Sequence, residues 1–527
     1  MEQQIDASLA VIDYAVIGAY LLIIVAIGVW VSRKTSTGED LFLAGRSLGW
    51  GLIGFSLFAS NISTSTLVGL TGSAYTGGLS VSAYEWMAGI PLLLMAFVFA
   101  PVFLRSRIST TPEYLEKRYS RRVRLYFSGL TILFTVIVDT AGGLYAGAVV
   151  MRVFFPGLDI WMLCLGIGLF AGIYTALGGL KAVVYTDVLQ AIVLIVGTAL
   201  TAFLMFQSVD FSWSTVAEQV PEGNLSIVQP IDDETLPWPG LFTGVWLLGF
   251  WYWVTNQYVV QRILGARSLS HAQWGAILGG VLKILPTFFI ILPGVMAVVT
   301  LPEIERADQV FPIMITQVLP AGLTGLVLAG LIAAIMSSVD STLNSSSTLL
   351  VNDFLTRPEN EPEPEEAKKW GTRATLGFMV LAIVWAPFIQ YFGGLWDYIQ
   401  QAFSVLVPPL VVCFTLGALW PRGTATAAFW TLISGHILGL AIFVLNQMEV
   451  WPLHYTINVT IMTVVSAAIF VGLSLLIEDD TDPEDSSLWS REAAFDTDAC
   501  NAGFFANAKT YGWLLGAMML GTLVLFW

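Results

Sequence analysis

Residues 51–69 read Gly-Leu-Ile-Gly-Phe-Ser-Leu-Phe-Ala-Ser-Asn-Ile-Ser-Thr-Ser-Thr-Leu-Val-Gly. The stretch lies within an apolar segment long enough to cross a bilayer, yet six of the seven residues 60–66 are polar. Polar clusters at that depth either hold neighbouring helices together or mark an unwound segment whose free carbonyls and amides line a site. We favour the unwound segment because a second interruption follows five spans later.

The second interruption covers residues 249–257, Gly-Phe-Trp-Tyr-Trp-Val-Thr-Asn-Gln. Since five is an odd number, a five-helix unit repeated in the sequence enters the membrane the second time from the opposite side. Paired interruptions in two such halves indicate a secondary transporter with inverted repeats and a site at the midplane. The sequence therefore predicts an all-α integral membrane protein whose first and sixth core helices are broken.

The composition is typical of a membrane protein. Of 527 residues, 56% are hydrophobic and 12% are charged, and the mean hydropathy is +0.75, whereas a globular protein carries about 25% charged residues. The net charge of −15 argues against a nucleic-acid partner. Cys164, Cys413 and Cys500 offer neither a disulfide framework nor metal-ligand spacing. No catalytic motif is present, so we expect no enzyme and no cofactor.

Windows of about 20 residues predict fourteen spans. They are 12–32, 47–75, 79–104, 125–151, 158–179, 182–207, 241–261, 272–299, 320–350, 374–394, 398–420, 424–446, 455–477 and 510–527. No basic segment precedes the first span, so we expect no cleaved signal peptide. If the N-terminus is outside, 20 of the 23 basic residues face inward, as the positive-inside rule requires. The prediction is a multi-pass protein of the plasma (inner) membrane with both termini outside.

The spans divide the chain into seven parts. These are a leading helix with an inner loop (1–46), the first repeat (47–207), an acidic outer loop (208–240), the second repeat (241–420), two trailing helices (421–477), an acidic inner segment (478–509) and a last helix (510–527). The inner segment, which has nine acids, is typical of a linker, as is the stretch 357–373. No soluble output domain of a sensor is predicted.

Five ionisable residues are predicted inside spans: Glu85, Asp139, Asp187, Lys283 and Asp340. A charge at that depth costs about 3 kcal/mol on insertion scales and is kept mostly for function. A salt bridge would account for Lys283 and one acid. Three carboxylates then need a cation or a proton.

Ten short motifs resemble the sodium/solute symporter family, and within it the sodium–glucose cotransporter branch. They are Phe-Ala-Ser-Asn-Ile (58–62), Tyr-Glu-Trp (84–86), Thr-Pro-Glu-Tyr-Leu (111–115), Tyr-Thr-Ala-Leu-Gly-Gly-Leu (174–180), Tyr-Thr-Asp (185–187), Trp-Tyr-Trp (251–253), Val-Gln-Arg (260–262), Lys283, Ser337-Ser338 and Asp-Tyr-Ile-Gln (397–400). The resemblance implies the leucine-transporter fold, with ten core helices in two inverted repeats, one leading helix and three trailing helices. It also implies sodium-driven uptake by alternating access.

The resemblance also implies where the coupling sodium binds. In this family the ion lies where the broken first core helix meets the eighth. Its ligands would be the backbone carbonyls of Ala59, Ile62 and Ala334 and the hydroxyls of Ser337 and Ser338. Na⁺ is a hard cation, and neutral oxygens hold it weakly enough for release inside the cell.

A second cation site is predicted beside the serine pair. In relatives that move two sodium ions, the second lies near an aspartate of the sixth span and hydroxyls just beyond the serines. Asp187, Ser338 and Ser341 stand at those places, and Asp340 stands where relatives have a serine or threonine. Two facing carboxylates need a cation or a shared proton. Alternatively, Asp340 pairs with a base of an inner loop.

The solute site is predicted from the same resemblance. Glu85, Lys283 and Gln400 match the family's sugar-coordinating positions, and Tyr252 matches its aromatic inner gate. Paired donors and acceptors beside an aromatic face suit a neutral sugar or a polyol. The full predicted set is Asn61, Thr66, Glu85, Asp139, Lys283 and Gln400.

The chain departs from the branch at four pocket positions: Thr66, Ala88, Asp139 and Gly249. The identity of the solute therefore stays open. The alternative prediction is a symporter for an amino acid, such as proline, or for an organic cation with Asp139 as counter-ion. The other expected partners are Na⁺ and the lipid bilayer.

Overall fold

The long apolar runs form helices, which satisfy their own backbone hydrogen bonds as a bilayer requires. The computed structural model of the protein describes residues 9–32, 44–175, 180–356, 364–392, 394–477 and 483–527. In this part of the chain every regular element is helical. Extended pairing there is limited to two single-residue bridges, Leu48 with Ala266 and Gln229 with Pro237.

The helices of the first half follow in chain order. They are α1 (Val11–Ser32), α2 (Trp50–Asn61), α3 (Thr64–Gly77), α4 (Ala83–Trp86), α5 (Gly89–Leu94), α6 (Ala100–Arg105), α7 (Thr111–Arg118), α8 (Arg121–Phe134), α9 (Ala141–Phe154), α10 (Ile160–Thr175), α11 (Leu180–Ser208) and α12 (Trp213–Gln219). Turns of π-helix at Met95–Phe99 and Thr135–Thr140 join α5 to α6 and α8 to α9.

The second half begins at residue 238. Its helices are α13 (Trp238–Thr243), α14 (Val245–Phe250), α15 (Gln257–Leu264), α16 (Leu269–Leu282), α17 (Leu292–Thr300), α18 (Val310–Val318), α19 (Leu323–Leu349), α20 (Pro364–Trp385), α21 (Leu395–Leu419), α22 (Ala425–Gln447), α23 (Tyr455–Leu476), α24 (Arg491–Phe495), α25 (Asp498–Asn501) and α26 (Ala508–Leu525). Further π-helical turns follow α14 at Trp251–Thr255, precede α17 at Thr287–Ile291 and follow α19 at Leu350–Leu355.

The structure breaks a helix inside both predicted interruptions. Between α2 and α3, Ile62 leaves the helical conformation (φ −77°, ψ 70°), and the Ser63 side chain caps α3 by accepting from the amide of Thr66. Between α14 and α15, Asn256 is extended (φ −70°, ψ 120°), and its side chain accepts from the amide of Tyr258. Serine and asparagine favour such ends because their side chains satisfy amides that lack an intrahelical partner.

Nine helical segments of the described residues are long and apolar enough to cross a membrane. A tenth is reached if Ile192–Ser208 and Trp213–Gln219, which are bent by 83° at a short break, count as one span. The integral-membrane prediction therefore agrees with the structure. The count of fourteen spans and the two inverted repeats stay predictions.

The helices pack so that both breaks lie at the centre. α2 lies along α16, while α19 packs against both α1 and α11. The trailing helices α22 and α23 pack against α21 and against each other. The buried apolar side chains form one large cluster that runs through most of these helices.

Two predicted linkers contain helices. In the acidic segment 478–509, the described part from residue 483 onward includes α24 and α25, and the buried Gln273 of α16 donates to the carbonyl of Ala494 (2.8 Å). The stretch 357–373 overlaps the start of α20 at Pro364. The high charge of the acidic segment therefore does not prevent it from being ordered where it packs against other helices.

Candidate functional site

A cavity of about 120 Å³ opens between the two helix breaks. Its walls come from the first break, α4, the π-turn Thr135–Thr140, α11, the second break, α19 and α21. Polar groups are concentrated here because unwound backbone and side chains at membrane depth need a wet or protein-lined space. This cavity is the candidate site.

All five predicted sodium-site residues line the cavity. Ala59 and Ile62 come from the first break, and Ala334, Ser337 and Ser338 come from the facing part of α19. The structure thus brings together residues that are about 275 positions apart in the sequence. Residues that can offer carbonyl and hydroxyl oxygens around one space can supply the neutral donor set that an alkali cation needs.

The first break is tied to α19 by a buried hydrogen bond. The hydroxyl of Thr64, the first residue of α3, donates to the carbonyl of Leu331 (3.1 Å). The Thr66 hydroxyl donates to the carbonyl of Asn61 within the break. Thr66, predicted to contact the solute, lines the cavity while its hydroxyl proton is used by the backbone.

Lys283, at the end of α16, forms a buried polar network with Glu85 and Asn61. Its ammonium donates to Glu85 Oε2 and to Asn61 Oδ1, and the Lys283 and Glu85 side chains are 1% and 2% exposed. Glu85 and Asn61 line the cavity, whereas Lys283 lies behind them. In this conformation the lysine neutralises and orients the wall of the cavity.

The other predicted solute residues lie on three sides of the cavity. Gln400 enters from α21. Asp139 lies in the π-turn between α8 and α9, and the Asn256 amide donates to its Oδ2 at 3.4 Å. No ion pair to Asp139 is present among the described residues, so its carboxylate is the uncompensated acid of the cavity wall.

Tyr252 links the two breaks directly. It belongs to the π-turn after α14, and its hydroxyl donates to the carbonyl of Ser60 (2.8 Å). Its ring meets those of Trp253 and Tyr258 edge to face, with centroids 4.9 and 5.8 Å apart. An aromatic side chain that joins two interrupted helices is well placed for the predicted gate.

The predicted second cation site is only partly described. Ser341 lines the cavity about one turn beyond the serine pair. Asp340 is buried (4% exposed) and does not line the cavity. Asp187 belongs to α11, but its side chain lies outside the described residues.

Sequence reasoning missed several residues of the cavity wall. Tyr84 and Trp396 line the cavity and meet edge to face at 5.3 Å, and the hydroxyls of Tyr84 and Tyr455 are 2.6 Å apart. Gln190 lines the cavity from α11. Two of these residues lie within one helical turn of a predicted site residue, since Tyr84 precedes Glu85 and Gln190 follows Asp187. This proximity is the sequence signal that could have identified them.

Among the described residues, no group of three His, Cys, Asp or Glu side chains has the arrangement of a metal site. Together, the helix breaks, the neutral oxygens and the buried ion pair define a class: a helical membrane protein with a central polar site for small solutes and cations.

The sequence places the chain within that class. The model of the sodium:solute symporter family matches residues 41–435. Sodium/glucose cotransporter 1 of Oryctolagus cuniculus is 33% identical over 472 residues, which cover 81% of this chain and 71% of that protein. Sodium/glucose cotransporter 4 of Homo sapiens is 35% identical over 477 residues (82% and 69%). Sodium/myo-inositol cotransporter 2 of Homo sapiens is 33% identical over 479 residues (84% and 71%).

Solved structures show the same fold. A Na⁺-coupled sialic acid symporter in a substrate-bound, outward-open state superposes with a TM-score of 0.78 at 24% identity, covering 90% of this chain and 100% of that one. Mhp1, a nucleobase-cation-symport-1 family transporter, gives a TM-score of 0.57 at 13% identity, covering 86% and 98%.

The chain belongs to the sodium:solute symporter family. It is a multi-pass membrane transporter and not an enzyme, and Na⁺ is its coupling ion. The prediction of a sodium symporter of this family is confirmed.

Proposed function

We propose that this protein takes up a neutral sugar or polyol by alternating access, driven by a sodium gradient across the plasma (inner) membrane. The observation that carries the proposal is a cavity lined by both helix breaks, by the Ser337–Ser338 pair and by Glu85 and Asn61 of the network with Lys283. The network presents a carboxylate and an amide, and Gln400 adds a second amide. The names of the glucose and myo-inositol relatives support the choice of solute.

Uptake by purified protein in proteoliposomes tests this function. Radiolabelled glucose, galactose and myo-inositol are offered with and without an inward sodium gradient, and unlabelled sugars, proline and choline are added as competitors. Sodium-dependent uptake that sugars or polyols inhibit supports the proposal. Inhibition by proline or choline and by no sugar or polyol would overturn it, and would favour Asp139 as the counter-ion of an ammonium group.

Within this function, the sodium ligands are Ala59, Ile62, Ala334, Ser337 and Ser338. We predict that Ser338→Ala weakens the apparent affinity for sodium by about tenfold or more, because a buried cation loses one of its few oxygens. Sodium titration of uptake measures this. An unchanged sodium dependence would remove Ser338 from the site. Thr198→Val on α11 serves as the control, because the Thr198 hydroxyl donates to the carbonyls of Leu194 and Ile195 of its own helix.

The architecture proposed for this function is the leucine-transporter fold with fourteen spans, two inverted five-helix repeats and both termini outside. The positions of the two breaks, at Ile62–Ser63 and at Asn256, support it. Single cysteines at Asp232 and Arg122 test the orientation in a variant that lacks the three native cysteines. A membrane-impermeant maleimide should label the first from outside and the second only after the membrane is opened, and the reverse pattern would overturn the orientation.

A second sodium ion or a proton at Asp187, Asp340 and Ser341 is also part of the proposal. It rests on the position of Ser341 in the cavity and on the buried carboxylate of Asp340. Reversal-potential measurements give the ratio of sodium to solute. A ratio of one to one that is independent of pH and unaltered in Asp340→Ser would reject both forms of this second site.

A further inference from the structure

One part of the cavity wall is formed by residues without a polar side-chain atom. Val245, Leu248 and Gly249 come from α14, and Ala88 comes from the turn between α4 and α5. The three residues of α14 are spaced so that they share one face of the helix. We call these four residues the apolar patch.

The backbone of the apolar patch is already hydrogen-bonded. The Ala88 amide donates to the carbonyl of Glu85 (3.2 Å), and the Ala88 carbonyl accepts from the amide of Leu92 (3.1 Å). The Leu248 amide donates to the carbonyl of Gly244 (3.0 Å). A hydroxyl group of the solute that faced Ala88 or Leu248 would therefore find no free donor, and at Ala88 only a carbonyl that already accepts.

Gly249 leaves a methyl-sized space in the apolar patch. A Cβ at this position would lie 3.5 Å from Pro91 Cγ and 3.7 Å from Trp253 Cδ1, which are ordinary van der Waals separations. Gly249 is also not among the glycines with a positive φ. Neither a close contact nor the backbone conformation requires glycine here, so the space is available to an apolar group of the solute.

Trp253 places this space beside the buried ion pair. The Lys283 ammonium lies 5.8 Å from the centroid of the Trp253 ring, and it donates to Glu85. Ala88 follows Glu85 after one turn of the chain. A solute that is held by the Glu85 carboxylate therefore has a neighbouring group against the apolar patch.

We propose that the protein prefers a methyl-bearing sugar or polyol, that is, a 6-deoxy sugar or an O-methyl derivative, with the methyl group in the space beside Gly249. This inference rests on the proposed function and narrows its solute class. A hydroxyl group at this place would lose its hydrogen bonds to water without replacement. A methyl group there removes apolar surface from water.

Sodium uptake driven by matched pairs of solutes tests the inference. Proteoliposomes with the full-length chain receive radioactive sodium and either a parent solute (glucose, galactose or myo-inositol) or its methyl-bearing counterpart. The counterparts are 6-deoxyglucose, 6-deoxygalactose and the mono-O-methyl derivatives of glucose and myo-inositol. We expect at least one counterpart to give half-maximal uptake at a concentration about tenfold lower than its parent. The counterpart that gains distinguishes a deoxy sugar from a methyl ether.

Variants of the apolar patch show whether the gain arises there. Gly249→Ala fills the space with a methyl group of the protein, so the preference for the counterpart should disappear. Gly249→Ser also adds a hydroxyl partner and should favour the parent solute. Gly143→Ala on α9 is the matched control and should keep the wild-type preference, because Gly143 is buried and a Cβ there would meet no atom within 4 Å.

Two results would overturn the inference. One is a wild-type protein for which every counterpart is equal to its parent or weaker. The other is a preference that persists in Gly249→Ala. A folding defect would weaken the response to both members of a pair equally, so the ratio between them is the decisive quantity. If the Gly249 variants do not fold, Ala88→Ser replaces them, and an unchanged ratio in that variant would equally reject the inference.

The same assay distinguishes this inference from the proposed function. If neither the parents nor their counterparts drive sodium uptake, the proposed function fails. If the parents drive sodium uptake and the counterparts do so no better, only the preference for a methyl group fails.

Discussion

Glu85 and Lys283 form an ion pair from which water is almost fully excluded. Removing one member of such a pair leaves an uncompensated buried charge, which costs about 3–5 kcal/mol, whereas replacing both by neutral side chains is often nearly neutral. We therefore predict that Glu85→Gln and Lys283→Met each lower the melting temperature strongly. The double variant should recover most of the stability but no uptake, since the polar wall of the cavity is lost.

Melting curves and uptake assays on the three variants check this prediction. If the double variant melts as low as the single ones, the pair holds the fold by packing and not by charge compensation. If it still transports a sugar, the network does not contact the solute.

At the residue scale, the sequence identified several of the polar residues that line the cavity. It did not show which predicted residues border the cavity and which lie behind its wall. Glu85, Asn61 and Gln400 were predicted from motifs and do line the cavity. That Lys283 lies behind Glu85 could not be predicted, because it depends on how α16 packs against α2. The hydrogen bond from the Gln190 amide to the carbonyl of Ala333 could not be predicted either, since the two residues lie 143 positions apart in the sequence.

At the scale of elements, the leading helix α1 caps the helix that carries the serine pair. Asp13 is 2% exposed, and its Oδ1 accepts from the amides of Gly322 (2.7 Å) and Gly325 (2.8 Å). The cap residue of α19, Gly322, has no side chain and a positive φ of 89°. The carboxylate of Asp13 therefore satisfies, from another helix, amides that α19 cannot satisfy itself.

We predict that Asp13→Ala destabilises the protein by about 1–3 kcal/mol because the buried amide of Gly325 and the partly buried amide of Gly322 lose their acceptor. Asp13→Asn, which keeps an acceptor oxygen, should lose less than half of that. Melting temperatures in detergent rank the three proteins. Equal melting of Asp13→Ala and wild type would show that water replaces the carboxylate without loss.

A second cap predicts a dependence on pH. His454 precedes α23, and its Nδ1 accepts from the amide of Thr456 (3.3 Å). Burial lowers the pKa of His454 from its ordinary value of 6.5 to about 4, against the opposing effect of the Asp233 carboxylate. Because the folded state favours the neutral ring, this contribution to stability is complete above pH 6.5 and is lost as the pH falls towards 4.

His454→Asn keeps a capping acceptor and removes the titration. We expect the melting temperature of wild type to fall more than that of the variant between pH 6.5 and pH 4. All other titrating groups are common to both proteins, so the difference between the two curves isolates His454. Parallel curves would show that the protonated ring keeps the cap.

For the whole molecule, the proposed coupling of a neutral solute to sodium has an electrical consequence. If the solute is neutral, as proposed, each transport cycle moves net positive charge inward, because the solute carries no charge to cancel that of the ion. We predict that addition of a transported sugar produces an inward current in protein-containing membranes at constant sodium. A transported sugar that gives no current would contradict this prediction and would mean that another charge crosses the membrane in compensation.

The all-helical, membrane-spanning character of the protein was predictable from the sequence because bilayer crossing imposes length and polarity on each helix. Both breaks appear in the sequence as polar clusters inside apolar spans, and the structure has them at Ile62–Ser63 and Asn256. The order in residues 483–501 was not predictable. Their acidic, apolar-poor composition suggests a linker, and only the surface provided by distant helices orders them.

The late position of this ordered segment in the chain has a consequence for synthesis. Arg105 donates to the carbonyl of Asp485, 380 residues later, and the indole of Trp489 donates to the carbonyl of Phe97, 392 residues earlier. At about 5–20 residues per second, these partners leave the ribosome roughly 20–80 s apart. During that time the early helices are in the membrane without these hydrogen-bond partners. The nascent protein must therefore stay intact and unaggregated until its last contacts form.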